Sequence, residues 1–393
     1  MQHADFAASP TGSLVSTEMG QWAFVPNALP PTSLDYARLA RPLSEAAEAI
    51  GELNGIGRTV RNPYLLISPL QRREVISSSS MEGTYTTVDA LLLAEAGNEE
   101  GATPDTREVL NYSRALADAI ASLANLPLSL RTLRDAHRTL LDDVGRGRGA
   151  TIRAGEFKQQ QNFIGTHGNG IENARFVPPP PQHALDCLNA LERYWHRDEE
   201  GIDTLIDSAL IHYQFETIHP FADGNGRVGR MLIILHLFMR NKLIQPLLYL
   251  SPVFEERKDE YIDRMYAVSR KGDWEGWIIF FLNVMRDSAR HTITLAEQIL
   301  ALQTRYRDEL QRNYRSNNLL AVIDYLFEQP LVSIPTVKER LGVTYHAARK
   351  TVETLVAENI LSEIPNKANP RLFAARDIID LISGKSSNAR SSA

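Results

Sequence analysis

Twelve residues, HPFADGNGRVGR from His219 to Arg230, gather one histidine, one aspartate, one asparagine, three glycines and two arginines between two apolar stretches. A loop of this composition that opens a helix presents backbone N–H groups that no helical carbonyl satisfies. Those groups carry partial positive charge and suit phosphate oxygens. Gly224 and Gly226 allow close approaches that a Cβ would block. Asn225 can donate its side-chain amide to an anion, and Arg227 and Arg230 add full charge with a fork that matches phosphate. Asp223 is the misfit, because a carboxylate beside a phosphate cradle repels the ligand unless a cation lies between them. Mg²⁺ binds in that way, through one or two carboxylates plus substrate phosphates, so Asp223 reads as its ligand. His219 has an unperturbed pKa near neutrality and can take a proton from an attacking hydroxyl. Phe221 reads as an apolar anchor for the loop. A base, a metal ligand and a phosphate clamp together suit transfer of a phosphorus-centred group from a nucleotide. His212 and His236 lie on helical patterns and read as packing or surface residues. The GRGRGA stretch, Gly145 to Ala150, reads as a turn, with phosphate binding as its alternative.

The loop must be carried by a large scaffold. The chain has 393 residues, room for two or three domains, with 43% hydrophobic and 23% charged residues. Its formal net charge of -6 supplies no global basic field for nucleic acid. One cysteine, Cys187, excludes an internal disulfide and any multi-cysteine metal site. The N-terminus lacks a basic and an apolar region of signal-peptide type, and the longest apolar run, Met231 to Met239, is too short to span a bilayer. A cytoplasmic protein without membrane partners is the expectation.

Residues 1–35, rich in Ser, Pro, Gly and Ala, read as an extended arm. Residues 36–110 read as a helical region interrupted at SSSSMEGTYTT, and 111–312 as the catalytic domain. Within these, Arg107 to Asp143 reads as two helices split near Leu126–Pro127. A long irregular run from Ile152 ends in an extended PPPP at Pro181. Helical patterns cover His183 to Arg197, Thr204 to Ile218, Arg230 to Asn241, Lys258 to Ser269 and Trp274 to Arg312. Residues 313–385 read as helix, short helix (Thr336 to Leu341), turn, helix (Tyr345 to Asn359) and hairpin, the order of a winged helix-turn-helix. Residues 386–393 read as a disordered tail.

The twelve-residue loop resembles the signature of the Fic family, HxFx(D/E)GNGRxxR, at His219, Phe221, Asp223, Gly224, Asn225, Gly226, Arg227 and Arg230. GEFKQQQNFIG and ARFVPPPP are similar to the family's flap, and YLSPVF and GDWEGWIIFFL are also similar to family segments, so roughly Leu65 to Leu300 is Fic-like. The resemblance implies an all-α fold: a helical core with a β-hairpin flap, here followed by the winged helix-turn-helix domain. It implies transfer of AMP from ATP to a Ser, Thr or Tyr hydroxyl of a target protein, or of the protein itself, with Mg²⁺. His219 would be the base and Asp223 the metal ligand. Asn225 and Gly226 would form the anion hole, and Arg227 and Arg230 would hold the β- and γ-phosphates. The flap residues Asn162, Phe163, Ile164 and Gly165 would dock the target segment. Where many relatives carry two adjacent Tyr this chain has Tyr261–Ile262, so Tyr261 is a candidate nucleotide contact. A homodimer is also in keeping with the resemblance.

By its residues alone SSSSMEG reads as a helix C-terminus with an exposed Glu. Ser78 and Glu82 are four apart and share a helical face, and Gly83 ends the helix. The Fic family contains an inhibitory motif, S/TxxxEG/N, that Ser78, Glu82 and Gly83 match, and the resemblance implies a Glu82–Arg230 pair that withdraws the γ-phosphate clamp. Two alternatives stay open: transfer of another phosphorus-containing group or removal of AMP by the same site, and a DNA-binding regulator acting through the winged helix. From Arg315 onward ten Lys or Arg face eight Asp or Glu, a weak balance for DNA. Thr344, Tyr345, His346, Arg349 and Lys350 would lead its recognition helix.

Overall fold

The computed structural model describes residues 1–97, 101–144, 153–165, 170–198, 201–364 and 370–384. The GRGRGA stretch and the tail 386–393 lie outside the described residues. In chain order the helices and strands begin with α1 (His3–Phe6), β1 (Gly12–Ser16) and β2 (Trp22–Pro26). Helices α2 (Tyr36–Thr59), α3 (Tyr64–Met81), α4 (Val88–Glu95), α5 (Pro104–Ser122), α6 (Leu130–Leu140) and α7 (Pro181–Trp195) follow. The centre is α8 (Thr204–Ile218) and α9 (Asn225–Met239), then α10 (Ser251–Glu256), α11 (Lys258–Lys271) and the long α12 (Trp274–Asn313). The C-terminal unit is α13 (Asn317–Glu328), β3 (Leu331–Ser333), α14 (Ile334–Leu341), α15 (Tyr345–Ala357), β4 (Ser362–Glu363), β5 (Leu372–Ala374) and α16 (Arg376–Ser383).

The chain is mostly helical, as expected, but not all-α. The first departure is the N-terminal segment. It is not an extended arm: β1 and β2 pair antiparallel from Gly12↔Pro26 to Ser16↔Trp22. Burial of apolar side chains offsets the entropy of ordering this hairpin. Phe6 and Phe24 are buried with Phe176, and Tyr266 packs edge-on against Phe6. The Phe24 amide donates to Val177 O at 2.9 Å, so β2 lies alongside the chain that follows the flap. The second departure is a three-stranded antiparallel sheet of order β3-β5-β4 in the C-terminal unit.

Every residue of α8 and nearly all of α9 are buried, so these two helices form the middle of the core rather than amphipathic surface elements. α8 starts on an Asp203 cap, whose carboxylate accepts the Leu205 N–H at 2.8 Å. α12 opens on Asp273, which accepts from Gly276. Its 40 residues span about 60 Å at 1.5 Å per residue, passing α2 and reaching the C-terminal unit.

α3 runs straight through the four serines that the sequence reads as an interruption. Serine is an indifferent helix former, but Ser78 and Ser79 are fully buried and packing decides. The helix then closes on Gly83 (φ +81°). The Gly83 and Thr84 amides donate to Ser80 O and Ser79 O, a closing pattern that needs a left-handed residue at this place.

The far half of α3 is tied to the C-terminal unit. The buried Arg72 guanidinium pairs with Glu95 at 2.8 Å, and its Nη2 also donates to Glu328 O and to Gln329 Oε1. Replacing Arg72 by Met leaves Glu95 poorly compensated, and breaking a buried pair of this kind costs about 3 kcal/mol. Urea unfolding of the Arg72→Met chain should show a loss of that order. A loss below about 0.5 kcal/mol, the scale of surface changes, would contradict the assignment.

Candidate active site

α8 ends and α9 begins around one turn of chain, residues 219–224. His219 takes a left-handed conformation (φ +49°, ψ +62°) and its amide closes α8 on Phe215 O at 2.9 Å. For a residue with a Cβ that conformation costs about 1–2 kcal/mol. Gly224 is also left-handed (φ +75°), which a glycine adopts freely, and it precedes α9 as its N-cap. The N-terminus of α9 therefore faces the space beside His219.

That space is a recess with a cavity volume of about 200 Å³. His219, Gly226, Arg230 and Glu82 lie at one end, while Met81, Ile164, Phe176, Tyr261, Ile262, Met265 and Tyr266 give the remainder an apolar and aromatic lining. Burial and the nearby Lys158 charge push the His219 imidazole down to about 4, so it is neutral at physiological pH and carries a free base nitrogen. Its Nδ1 is buried without a hydrogen-bond partner.

Arg230 and Glu82 meet at 2.8 Å. Arg230 also donates Nε to Ser78 Oγ and Nη2 to Ser78 O, each at 2.8 Å, so all three contacts come from the end of α3. Burial raises the Glu82 carboxyl and the Arg230 charge lowers it. The second effect prevails and holds Glu82 below the ordinary carboxylate range. The same pairing keeps Arg230 charged above its ordinary value although it is 2% exposed. The Glu82 carboxylate sits over the first turn of α9: a Cβ built on Gly226 would lie 2.1 Å from Glu82 Oε1. An internal anion thus rests on the anion-binding end of the helix. Lys258 donates to Met81 O at 2.6 Å and fixes the end of α3 from the other side.

Three sequence expectations need correction. Asn225 does not face the recess with its amide: Oδ1 accepts the Phe221 N–H at 2.7 Å and Nδ2 donates to Phe221 O at 2.8 Å, so both ends serve the turn of the loop itself. Arg227 is fully buried behind the loop and pairs with Glu108 of α5, because the helix face it occupies points at α5. Its Nε and Nη2 are buried without acceptors, so its charge acts on the site through space. Asn162 does not present itself to a target: Nδ2 donates to His219 O and to Phe221 O, both at 2.9 Å. In the rest of the flap Ile164 and Phe176 form an antiparallel bridge, Gly165 packs against Ala174 and Phe163 is 39% exposed.

Asp223 is half-buried at the loop, with Oδ1 accepting the Gly224 N–H at 2.6 Å. Among the described residues no group of three or more metal-ligating side chains occurs. One carboxylate beside a phosphate site is what Mg²⁺ needs when phosphates complete its shell, so the donor set fits that ion. Tyr261 is buried on the recess wall. His212 donates Nδ1–H to Gly229 O at 3.0 Å, which leaves Nε2 to accept the Tyr261 O–H at 2.9 Å. His212 is thus a packing residue that also orients Tyr261, and His236 is buried against Ser208 at 2.8 Å.

Sequence reasoning missed His137 of α6. Its Nδ1 accepts the Gly155 N–H at 2.8 Å, so Nε2 carries the proton and donates to Asp223 O at 3.0 Å. The ring stacks on Phe221 at 3.9 Å. A lone His on an amphipathic helix gives no signal of this role. Glu216, one turn before His219, was also missed.

Comparisons with known proteins follow the same outline. Residues 40–121 match the Fic/DOC family N-terminal model and 127–237 the Fic/DOC family model. The chain belongs to the Fic family. It is 27% identical over 209 residues to the protein adenylyltransferase Fic of Drosophila melanogaster, covering 51% of this chain and 38% of the fly protein. It is also 46% identical over 63 residues to a probable protein adenylyltransferase of Aquifex aeolicus, 16% of this chain and 19% of that one. The chain therefore spans well under half the length of these curated relatives. Among solved structures, a Fic family protein from Desulfovibrio desulfuricans G20 superposes with a TM-score of 0.54 at 17% identity, covering 88% of this chain and 98% of that one. A Fic domain containing signaling protein from Bacteroides thetaiotaomicron gives 0.50 at 20% identity, covering 66% and 96%. These likenesses establish the fold.

The Glu216 carboxyl is pushed up to about 8 by burial. The native state then holds a proton that the unfolded chain, with a carboxyl near 4.3, releases. Stability is fully present below the unfolded value and falls as pH rises through about 8. The wild-type thermal midpoint should therefore lose ground to that of Glu216→Gln between pH 5 and pH 8, the buried histidines acting alike in both chains. Identical pH slopes for both chains would contradict the buried neutral carboxyl.

Proposed function

We propose that the chain is a protein adenylyltransferase that moves AMP from ATP to a hydroxyl side chain, and that Glu82 holds it in an inhibited state. The single observation that carries this reading is the seat of the Glu82 carboxylate, on the N-terminus of α9 and against Arg230, where a terminal phosphate of a nucleotide would otherwise sit. The apolar recess beside it suits a base and ribose, and neutral His219 lines the same recess.

In this reading ATP lays its phosphates along the first turn of α9, with the far phosphate on Arg230 and the base toward Tyr261. Mg²⁺, held by Asp223, would offset charge on the phosphates when bound. His219 accepts the proton of the target hydroxyl as its oxygen approaches the α-phosphorus. Burial keeps the imidazole unprotonated for that step, and pyrophosphate leaves from the α9 end. The outer edge of the flap at Phe163 to Gly165 can add a strand of target backbone, which gives loose side-chain selectivity. With Glu82 in place Arg230 is withdrawn. A nucleotide then lacks its terminal clamp and its α-phosphorus is out of line for attack, where alignment supplies much of the rate.

The C-terminal unit reads as a winged helix-turn-helix, supported by the order α13-β3-α14-α15-β4-β5 and the sheet order β3-β5-β4. Arg349 at the start of α15 pairs with Glu353 at 2.7 Å on the exposed face of the helix.

ATP labelled at the α-phosphate, offered with Mg²⁺ and cell extract, tests the reading. Glu82→Gly should transfer label at least about ten-fold faster than wild type, the scale of losing one charge-assisted contact. His219→Ala should abolish transfer, and γ-labelled ATP should give none. Label from the γ-phosphate, or Glu82→Gly no faster than wild type, would overturn it.

A further inference from the structure

The catalytic turn is held from outside by Lys158 and Asn162 of the flap segment. Lys158 is 7% exposed. Its amide donates to Pro220 O at 2.7 Å and its Nζ to Ile218 O at 3.1 Å. Asn162 donates Nδ2 to His219 O and Phe221 O, both at 2.9 Å. Lys158 Nζ also donates to Asn162 Oδ1 at 2.8 Å, which fixes the amide so that Nδ2 faces the turn. Four consecutive carbonyls, from Ile218 to Phe221, are thus all engaged by two residues about sixty positions earlier in the chain.

Such an arrangement is more than anchorage. His219 is a left-handed residue with a Cβ, and a backbone of that kind persists only where its surroundings over-determine it. The carbonyls of the peptide units on both sides of His219 are held by Lys158 and Asn162. Rotation of either unit would swing the imidazole away from the recess. The buried Lys158 Nζ engages two acceptors, Ile218 O and Asn162 Oδ1, so it couples the turn to the orientation of the Asn162 amide.

We propose that Lys158 and Asn162 are positioning residues for His219: a clamp that sets the catalytic turn and leaves nucleotide binding to α9 and the apolar recess. The assignment rests on the transferase reading above for its kinetic consequence, but not for its geometry. It gives Asn162 a role inside the machinery rather than in target docking.

The test uses the full chain carrying Glu82→Gly, with Lys158→Met, Lys158→Arg, Asn162→Ala or Asn162→Asp added. Asn162→Asp keeps the acceptor for Lys158 but turns a carboxylate oxygen toward two carbonyls. Initial rates of label transfer from α-labelled ATP are read against ATP concentration. Lys158→Met, Asn162→Ala and Asn162→Asp should lower kcat by about 10- to 100-fold, the scale of a misplacement near 1 Å, with KM for ATP within about two-fold. Lys158→Arg, which keeps a donor, should recover most of the rate. In parallel, hydrogen exchange of the His219 and Phe221 amides should quicken by about ten-fold in the Asn162 variants, a readout independent of activity. Normal transfer with Asn162→Asp, a change in KM rather than kcat, or a Lys158→Arg chain as slow as Lys158→Met would overturn the clamp. If Lys158→Met does not fold, the Asn162 variants decide. If Glu82→Gly itself transfers nothing while the loop amides still loosen, the transferase reading fails and the clamp stands. Unchanged exchange in all variants overturns the clamp alone.

Discussion

A guanidinium buried in the middle of a helical protein has to have a counter-anion. Arg230 is 2% exposed, and the rest of the site can be understood from how that demand is met. Here Glu82 meets it, delivered by the last turn of α3 together with the hydroxyl and carbonyl of Ser78. A phosphate would meet it equally well, because the same spot is the N-terminus of α9, where unpaired N–H groups and the helix dipole favour negative charge. In the proposed mechanism the two anions compete for one place. Inhibition is then a matter of occupancy rather than of a distant conformational signal, and it is set by how firmly α3 is held. Lys258 holds its end, and Arg72 ties its far half to the C-terminal unit.

The catalytic turn is constrained in the same way. α8 and α9 are buried along almost their whole length, so the six residues between them have little freedom in where they emerge. Within that turn Asn225 ties to Phe221, His137 supports Phe221 and Asp223, and Lys158 and Asn162 engage the carbonyls around His219. The recess wall opposite is braced in turn by the N-terminal segment, where Phe6 of α1 and Phe24 of β2 pack on Phe176 and Phe6 also packs on Tyr266. Much of the polar chemistry written in the signature therefore goes into shaping the loop, and Arg230 is the arginine of the signature that reaches the recess.

The parts of this arrangement that a sequence can express locally were legible. The apolar runs of α8 and α9, the periodicity of α12, the glycines that open the loop, the His–Asp–Arg set, and the Ser78–Glu82 spacing with a terminating Gly83 all depend on neighbours within one or two helical turns. The parts that depend on distant partners were not. Nothing near Arg227 announces Glu108, and nothing near Asn225 or Asn162 says which carbonyls their amides will find. His137 and Lys158 carry no local motif, and only the folded chain brings them to the loop. The N-terminal hairpin was hidden because its strands are five residues long and set among Ser, Pro and Gly, so composition outweighed the short apolar pairs Leu14–Val15 and Phe24–Val25. The strands of the C-terminal sheet are shorter still, and the sheet was legible only as a hairpin at the end of the chain.

The claim that one site on α9 serves either Glu82 or a phosphate is reached most directly by calorimetric titration of inorganic pyrophosphate, without metal, into the wild-type chain and into Glu82→Gly. Competition for Arg230 requires the variant to bind pyrophosphate at least about ten-fold more tightly, since the ligand no longer displaces an internal carboxylate. Equal affinity in the two chains would mean that Glu82 does not occupy the phosphate site, and the proposed inhibition would fall with it.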